Sequence, residues 1–398
     1  MANKTRLCFQ VNNFCNLNCS YCYEKNKGNT EMKIEDAKYF IDRFVEEDKS
    51  YFGDYFMDKP KEIILDFIGG ESTLSMNVVE EITEYFYKKC VEKGKYDWVI
   101  NSDIWLETNG TTYFRQDVKS YIEKHKEKLD LPITLDGCKE LHDKCRKYYN
   151  GKGSYDDVEK AVKDYIALTG KTPNSKLTLS PENVKYFYEG IKNFIGLGYK
   201  AVRCNCQMED VWDEESENEY YTQLIKTYDY IIENRISFVM TPMRVFKKES
   251  RYSNCGLYGG TICLDYAGNI YNCFRYSEVS INERESMRLG TVREGITEKN
   301  RLQKLREAID KTMDKQCKEC ELNSTCERCP AFNYEHTGDM TKSLKTNCRI
   351  THIEAKAFKY FQDKCKEVGF IHPMLKTANS WNEELFAKNK LKNIKTKK

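Results

Sequence analysis

The sequence predicts an α/β chain: a partial (β/α)6 TIM barrel followed by a small cysteine-rich domain. Two observations predict the barrel. Six β-rich apolar runs alternate with longer amphipathic stretches, the pattern of parallel βαβ units. Polar or glycine-bearing motifs follow nearly every run, and in such barrels chemistry collects at the carboxyl ends of the strands. A third observation marks the end of the barrel: beyond about residue 240 the alternation stops and cysteines become frequent.

The strand candidates are LCFQV (7–11), IILDFIG (63–69), IWLET (104–108), PITLD (132–136), KLTLS (176–180) and AVRCN (201–205). Helical periodicity covers 32–48, 76–93, 116–128, 154–169, 184–196 and 216–233. Thiols follow the first strand, Gly69-Gly70-Glu71 the second, Thr108-Asn109-Gly110 the third, Asp136-Gly137 the fourth and Ser180-Pro181-Glu182-Asn183 the fifth. Any one of these alone reads as a turn. Five at the same end of successive strands read as a site. A helical pattern over 351–371 is expected to pack back on the barrel, and the tail KNKLKNIKTKK to be a frayed basic end. The predicted division is 1–235 barrel, 236–254 bridging segment, 255–350 cysteine-rich domain and 351–398 helix and tail.

Sixty-four basic residues oppose 62 acidic ones, a net charge of +2 over 398 residues, which points away from nucleic-acid and anionic-membrane partners. The sequence carries neither a signal-peptide run nor an apolar stretch of about eighteen residues, so a cytoplasmic protein is expected. Eighteen cysteines in a chain of this size and compartment read as metal or redox ligands and not as a disulfide scaffold.

The stretch CNLNCSYC crowds Cys15, Cys19 and Cys22 into one loop. Three ligands are too few for a closed tetrahedral zinc site. They suit a cubane iron–sulfur cluster with one iron left open. Later, Cys255, Cys263 and Cys273 are spaced C-x7-C-x9-C, Cys317, Cys320, Cys326 and Cys329 are spaced C-x2-C-x5-C-x2-C, and Cys348 follows. A four-thiolate zinc ribbon is the rival reading of the quartet, although Cys255, Cys263, Cys273 and Cys348 would be surplus to a single zinc ion. His142 and His336 are isolated and read as structural.

CNLNCSYC has the CxxxCxφC pattern of the radical S-adenosylmethionine enzymes, with Tyr21 as the aromatic residue, and the order of GGE, TNG and LTLSPEN strengthens the resemblance, which spans nearly the whole chain. The segment CGLYGGTICLDYAGNIYNC, then CKECELNSTCERC and Cys348, resembles a SPASM domain, the carrier of auxiliary clusters in peptide-modifying members. Cys326 and Cys329 enclose two residues where that pattern commonly has three, which leaves the ligation of Cys329 open. The resemblance implies S-adenosylmethionine and three 4Fe-4S clusters. Cys15, Cys19 and Cys22 would hold the cofactor-binding cluster. Cys255, Cys263, Cys273 and Cys329 would hold one auxiliary cluster, with Cys263 the least secure ligand, and Cys317, Cys320, Cys326 and Cys348 the other. Gly69, Gly70 and Glu71 would receive the methionyl amino group, Thr108, Asn109 and Ser180 the ribose, and Tyr21 would lie near the adenine. Arg146 is the candidate for the methionyl carboxylate, because a guanidinium fork matches that group.

The implied reaction is reductive cleavage of S-adenosylmethionine to a 5′-deoxyadenosyl radical, which abstracts hydrogen from a peptide or protein substrate, while auxiliary clusters accept the second electron. The stretches KLTLSPENV, QMEDVW and IYNCFRY resemble maturases of cysteine-containing ribosomal peptides, so a thioether or other crosslink is the leading expectation. The alternative is an anaerobic sulfatase maturase, which forms formylglycine; its usual aspartate base is replaced here by Phe274. A zinc-stabilised binding protein and an iron–sulfur electron carrier are the readings from other classes. The implied partner is an external one-electron reductant of flavodoxin or ferredoxin type; since no winged-helix recognition domain fits before Cys15, a leader would be read by a separate leader-recognition protein, by the barrel surface, or not at all.

Overall fold

The computed structural model describes residues 4–56, 60–207, 211–243, 260–281, 284–310, 315–323, 325–326 and 328–376. Cys255 and the basic tail lie outside the described residues. The barrel strands are β1 (Lys4–Gln10), β2 (Glu62–Ile68), β3 (Ser102–Leu106), β4 (Leu129–Asp130), β5 (Lys176–Leu179), β6 (Ala201–Cys206) and β7 (Val239–Met240). Helices α1 (Ile34–Val45), α2 (Met76–Glu92), α3 (Gln116–His125), α4 (Lys139–Cys145), α5 (Tyr155–Thr169), α6 (Phe187–Gly196) and α7 (Glu214–Glu233) connect them. Every named neighbour pair within β1–β2–β3–β4 and within β5–β6–β7 is parallel, as crossover helices require.

Alternation within the strands separates two environments. On β1, Leu7 and Phe9 face the helices, where Phe9 stacks on Phe67 with ring centroids 5.9 Å apart and meets Phe40 edge-on at 6.1 Å. The opposite positions Arg6, Cys8 and Gln10 point into the barrel. There the Arg6 guanidinium lies 3.3 Å from Asp66 and 4.4 Å over the Trp105 ring. Burying a charge is costly unless it is paired, and this pairing is what allows a polar barrel interior.

The expected strand over 132–136 is reduced to β4 and an irregular segment. Pro132 has no N–H to give to a ladder. It still accepts from Thr108 N–H at 3.0 Å, Ile133 N–H reaches the Asn174 carbonyl at 3.1 Å, and Thr178 N–H goes to the Asp136 carboxylate at 2.9 Å. A side chain therefore stands in for part of the missing ladder between β3 and β5.

Beyond the barrel, β8 (Thr261–Leu264) pairs in parallel with the free edge of β1, and β9 (Asn269–Tyr271), β10 (Gly290–Thr291) and β11 (Gly295–Ile296) follow it antiparallel. The resulting sheet runs β11-β10-β9-β8-β1-β2-β3-β4. The sheet is thus continuous from the barrel into the cysteine-rich segment. Helices α8 (Lys299–Asp310), α9 (Pro330–Thr337) and α10 (Lys345–Glu367) complete the described chain. As the periodicity of 351–371 predicts, α10 packs back: Tyr228 and Phe361 rings are 4.9 Å apart, and the Tyr220 hydroxyl donates to Glu354 at 3.0 Å. Among the described residues, no helix is long and apolar enough to cross a membrane.

Candidate active site

The carboxyl ends of β1, β2, β3, β5 and β6 open into one cavity of about 600 Å³, a size suited to a cofactor and part of a peptide. Its wall includes Cys15, Cys19, Tyr21 and Cys22 from the first loop, Gly69, Gly70 and Glu71 from the second, and Thr108, Asn109 and Arg146. Late in the chain Arg275, Cys326, Arg328, Cys329 and Phe332 close the opposite side.

The thiol loop is strapped on both flanks. Asn18 N–H donates to the Lys147 carbonyl at 2.7 Å and Ser20 N–H to that of Cys145 at 3.0 Å, so the loop runs beside the segment bearing Arg146. On the other side Glu71 N–H reaches the Phe14 carbonyl at 2.8 Å. Gly70 makes that approach possible: a Cβ there would sit 2.2 Å from the Phe14 carbonyl oxygen. Asn109 Nδ2 donates to Asn16 Oδ1 at 2.9 Å and lies 3.7 Å from Cys15 Sγ.

Glu71 is buried and brackets two loops: Oε1 accepts from the hydroxyls of Thr73 and Thr108, and Oε2 accepts from Asn109 N–H at 2.7 Å. A carboxylate offers about four acceptor positions, and among the described residues Oε2 uses one of its own. Arg146, itself buried, donates from Nη1 to the Tyr21 hydroxyl at 3.0 Å, and Tyr21 in turn donates to Asp136. Among the described residues Arg146 Nε has no hydrogen-bond partner. Burial pushes the Asp136 carboxyl up, against the pull of the Arg146 charge.

Burial also raises the Cys15 thiol to about 12 and, opposed by Arg146, raises Cys19. Both are protonated in the bare chain, so metal binding would release protons. Among the described residues no three His, Cys, Asp or Glu side chains converge as tightly as a single ion needs. The three thiols instead rim a cavity, as a multi-iron cluster spaces its ligands more widely than one ion does. Three thiols, a spare carboxylate acceptor and an unpartnered guanidinium nitrogen fit a cluster plus a zwitterionic ligand carrying ammonium and carboxylate groups.

The later cysteines divide. Cys317 and Cys320 lie near enough to Cys348 for their charges to raise its pKa beyond what burial does. Asn347 Nδ2 donates to Cys326 Sγ at 3.7 Å, which brings that residue to the start of α10. Cys329 caps α9 and faces the cavity, and Cys273 lies two residues beyond β9. Cys263 is buried on β8 opposite Cys8, whose thiol donates to the Asp66 carboxylate at 2.9 Å. Ser180 is buried, its hydroxyl hydrogen-bonded to Cys145, and is absent from the cavity wall. His142 is structural, accepting Asp136 N–H at 3.1 Å and meeting Ser154 Oγ at 3.0 Å.

Sequence reasoning missed Glu24, Lys27, Glu107 and Lys176, all on the cavity wall. The signal available was strand parity: Glu107 and Lys176 stand at inward positions of β-strand segments, where a barrel interior would ordinarily hold apolar side chains. Glu107 is exposed on the cavity wall, yet the protein around it displaces enough bulk solvent to push it up to about 7, reinforced by Asp66 and opposed by Arg6, Lys176 and Arg203. Glu24, which accepts from Gln10 Nε2 at 3.1 Å, is also raised by burial to about 7. Because each folded pKa exceeds the unfolded one, the stabilising contribution is complete below about pH 4.5 and is lost as pH rises through about 7. Glu24→Gln, at the buried member of the two, is therefore expected to weaken the fall in melting temperature between about pH 5 and about pH 8, as read by thermal denaturation across that range.

No family model matches the chain. An uncharacterized protein of Methanocaldococcus jannaschii is 27% identical over 300 residues, covering 72% of this chain and 92% of that protein. The serine-type anaerobic sulfatase-maturating enzyme of Bacteroides thetaiotaomicron is 21% identical, covering 90% and 88%. The radical SAM cyclopropyl synthase TigE of Paramaledivibacter caminithermalis is 22% identical, covering 66% and 56%. Among solved structures, native anSMEcpe with bound AdoMet superposes with a TM-score of 0.70 at 17% identity over 92% of this chain and 100% of that one. Streptococcus suis SuiB bound to its precursor peptide SuiA gives 0.55 at 15% identity over 87% and 76%. By its relatives and its fold, the chain is similar to radical S-adenosylmethionine enzymes that mature sulfatases or modify peptides.

Proposed function

We propose that the chain is an oxidoreductase that matures a ribosomally made peptide, joining a cysteine thiol to carbon, with Cys15, Cys19 and Cys22 holding the cluster that binds S-adenosylmethionine. The observation that carries this reading is the meeting in one cavity of three thiols with Glu71 and Arg146, whose Oε2 and Nε keep hydrogen-bonding capacity among the described residues. When bound, the cluster and S-adenosylmethionine supply removal of a hydrogen atom from an unactivated carbon.

The protein's own contribution is placement and exclusion of water. Gly69, Gly70 and Glu71 would receive the cofactor's ammonium, Arg146 its carboxylate, and Thr108 and Asn109 its ribose, with Tyr21 fixed by Asp136 near the adenine. Arg275 lies 5.2 Å from the ring of Tyr23 and 5.2 Å from that of Phe332, so it ties the first loop to α9 across the cavity wall. Glu107 makes no side-chain hydrogen bond among the described residues and faces the cavity. Held near neutrality, it is suited to take the proton that a substrate thiol or hydroxyl gives up. Cys317, Cys320, Cys326 and Cys348 would hold one auxiliary cluster, which their proximity supports. Cys255, Cys263, Cys273 and Cys329 would hold the other, the buried Cys263 being its weakest member.

A second reading, formylglycine formation in a sulfatase, is favoured by the length of the alignment to the Bacteroides enzyme. Its aspartate position is occupied here by the buried Phe274. The test of the first reading is anaerobic reconstitution, reduction and incubation with S-adenosylmethionine, followed by coexpression with a neighbouring cysteine-rich peptide or a sulfatase. Formation of 5′-deoxyadenosine and a peptide lighter by two hydrogens per crosslink is the expected result. An aldehyde in the sulfatase would establish the second reading, and a colourless protein that leaves the cofactor intact would overturn both.

A further inference from the structure

Lys176 stands on the cavity wall and takes no part in the roles described above. It opens β5, and the ladder pairs it directly with Arg203 of β6; two residues further on, Thr178 pairs with Asn205. Residues opposite one another in a ladder leave the same face of the sheet, and side chains two apart along a strand share that face. Thr178 and Asn205 are both on the cavity wall, while Leu177, between Lys176 and Thr178, is fully buried on the other face. Arg203 therefore stands beside Lys176 on the inward face. Both residues are exposed, and among the described residues neither side chain makes a hydrogen bond or an ion pair.

Other charges of the barrel interior are committed. Arg6 and Asp66 lie 3.3 Å apart, Asp136 accepts from Tyr21 and from Thr178 N–H, and Arg275 and Glu335 lie 3.1 Å apart. Glu107 shares the cavity wall with Lys176 and can neutralise one of the two cations, which leaves one positive charge over. That charge costs little while water fills the recess. A peptide that covers the recess expels the water, and a buried charge is costly unless it is paired. The peptide that fits best brings the missing carboxylate.

We propose that Lys176 and Arg203 form a subsite for an acidic side chain of the peptide substrate, so that the enzyme selects a peptide carrying aspartate or glutamate close in sequence to the residue it modifies. This deepens the reading of the cavity as a peptide-maturation site and rests on it. Two adjacent cations reject a basic residue as well as accept an acidic one, and specificity is that difference. The carboxylate of S-adenosylmethionine is the other source of the same chemistry, so the two are tested apart.

The experiment is calorimetric titration of anaerobically reconstituted full-length protein, with S-adenosylmethionine present and no reductant, against capped alanine nonapeptides. Each peptide has a central cysteine and one glutamate, glutamine or lysine at a varied position. In the wild type a glutamate peptide is expected to bind about tenfold tighter than its glutamine counterpart, with the lysine peptide weaker still. Lys176→Met and Arg203→Met should each bring that ratio towards unity, and Lys176→Arg should keep it. Circular dichroism and iron content are recorded for every sample, and if one methionine variant fails to fold the other decides. Equal binding of glutamate and glutamine peptides at every position overturns the inference, as does failure of all the peptides to bind or an unchanged ratio in either folded methionine variant. Weaker binding of S-adenosylmethionine titrated alone into those variants also overturns it, since the carboxylate served would then be the cofactor's. The reading beneath fails separately: an aldehyde formed in a sulfatase after reduction would remove the crosslinking reaction and leave the charge preference in place.

Discussion

On the proposed assignment of three cubanes, replacing Cys15, Cys19 and Cys22 together with alanine is expected to reduce the iron content of the reconstituted protein from about twelve to about eight atoms per chain, and to abolish 5′-deoxyadenosine formation. The three thiols stand on one loop, and that loop is tied to Lys147 and Cys145 on one side and through Phe14 to Glu71 on the other. These ties are made by main-chain groups, so alanine preserves them. The loss should therefore be of ligation alone, with the fold intact by circular dichroism. The late cysteines, grouped near the start of α10, should keep their iron. Retained cleavage of S-adenosylmethionine by this variant would refute the assignment of the first loop.

The second large effect is on stability. Asp136 is fully buried and accepts from the Tyr21 hydroxyl and from Thr178 N–H, while Arg146, 7% exposed, donates to the same tyrosine at 3.0 Å. Asp136→Ala would leave the part-buried Tyr21 hydroxyl and the buried Thr178 N–H without their acceptor and remove a carboxylate from near the guanidinium. Breaking a buried ionic arrangement by removing one partner costs about 3–5 kcal/mol. A correspondingly lower midpoint of urea unfolding is expected. Asp136→Asn keeps an acceptor while losing the charge, and should fall between the two. Tyr21 sits between Cys19 and Cys22 in the chain, so both variants should also assemble the first cluster less completely, as read by visible absorbance.

Most of the barrel was legible because its signals are local. Strand one, strand two and the helix at 76–93 each carry their period and their breakers within a dozen or so residues. The segment 132–136 was misread for a local reason too: apolar content argued for a strand, but the proline at its start withholds a donor and the carboxylate of Asp136 takes over the pairing. The loop residues of the site were legible as motifs. Glu107, Lys176 and Lys27 were not, because a charged residue looks alike in sequence whether it faces solvent or a cavity. Only the closure of the barrel distinguishes the two. The pairing of Thr261–Leu264 with β1 joins segments some 250 residues apart, and no windowed pattern can show that.

That pairing has a practical consequence. A protein cut at the proposed bridge would bare the rim of its first strand, a row of unmet amide and carbonyl groups inviting any passing extended segment. The two parts of the chain are therefore co-dependent in folding, and the piece that bears the first three thiols is poorly suited to life on its own.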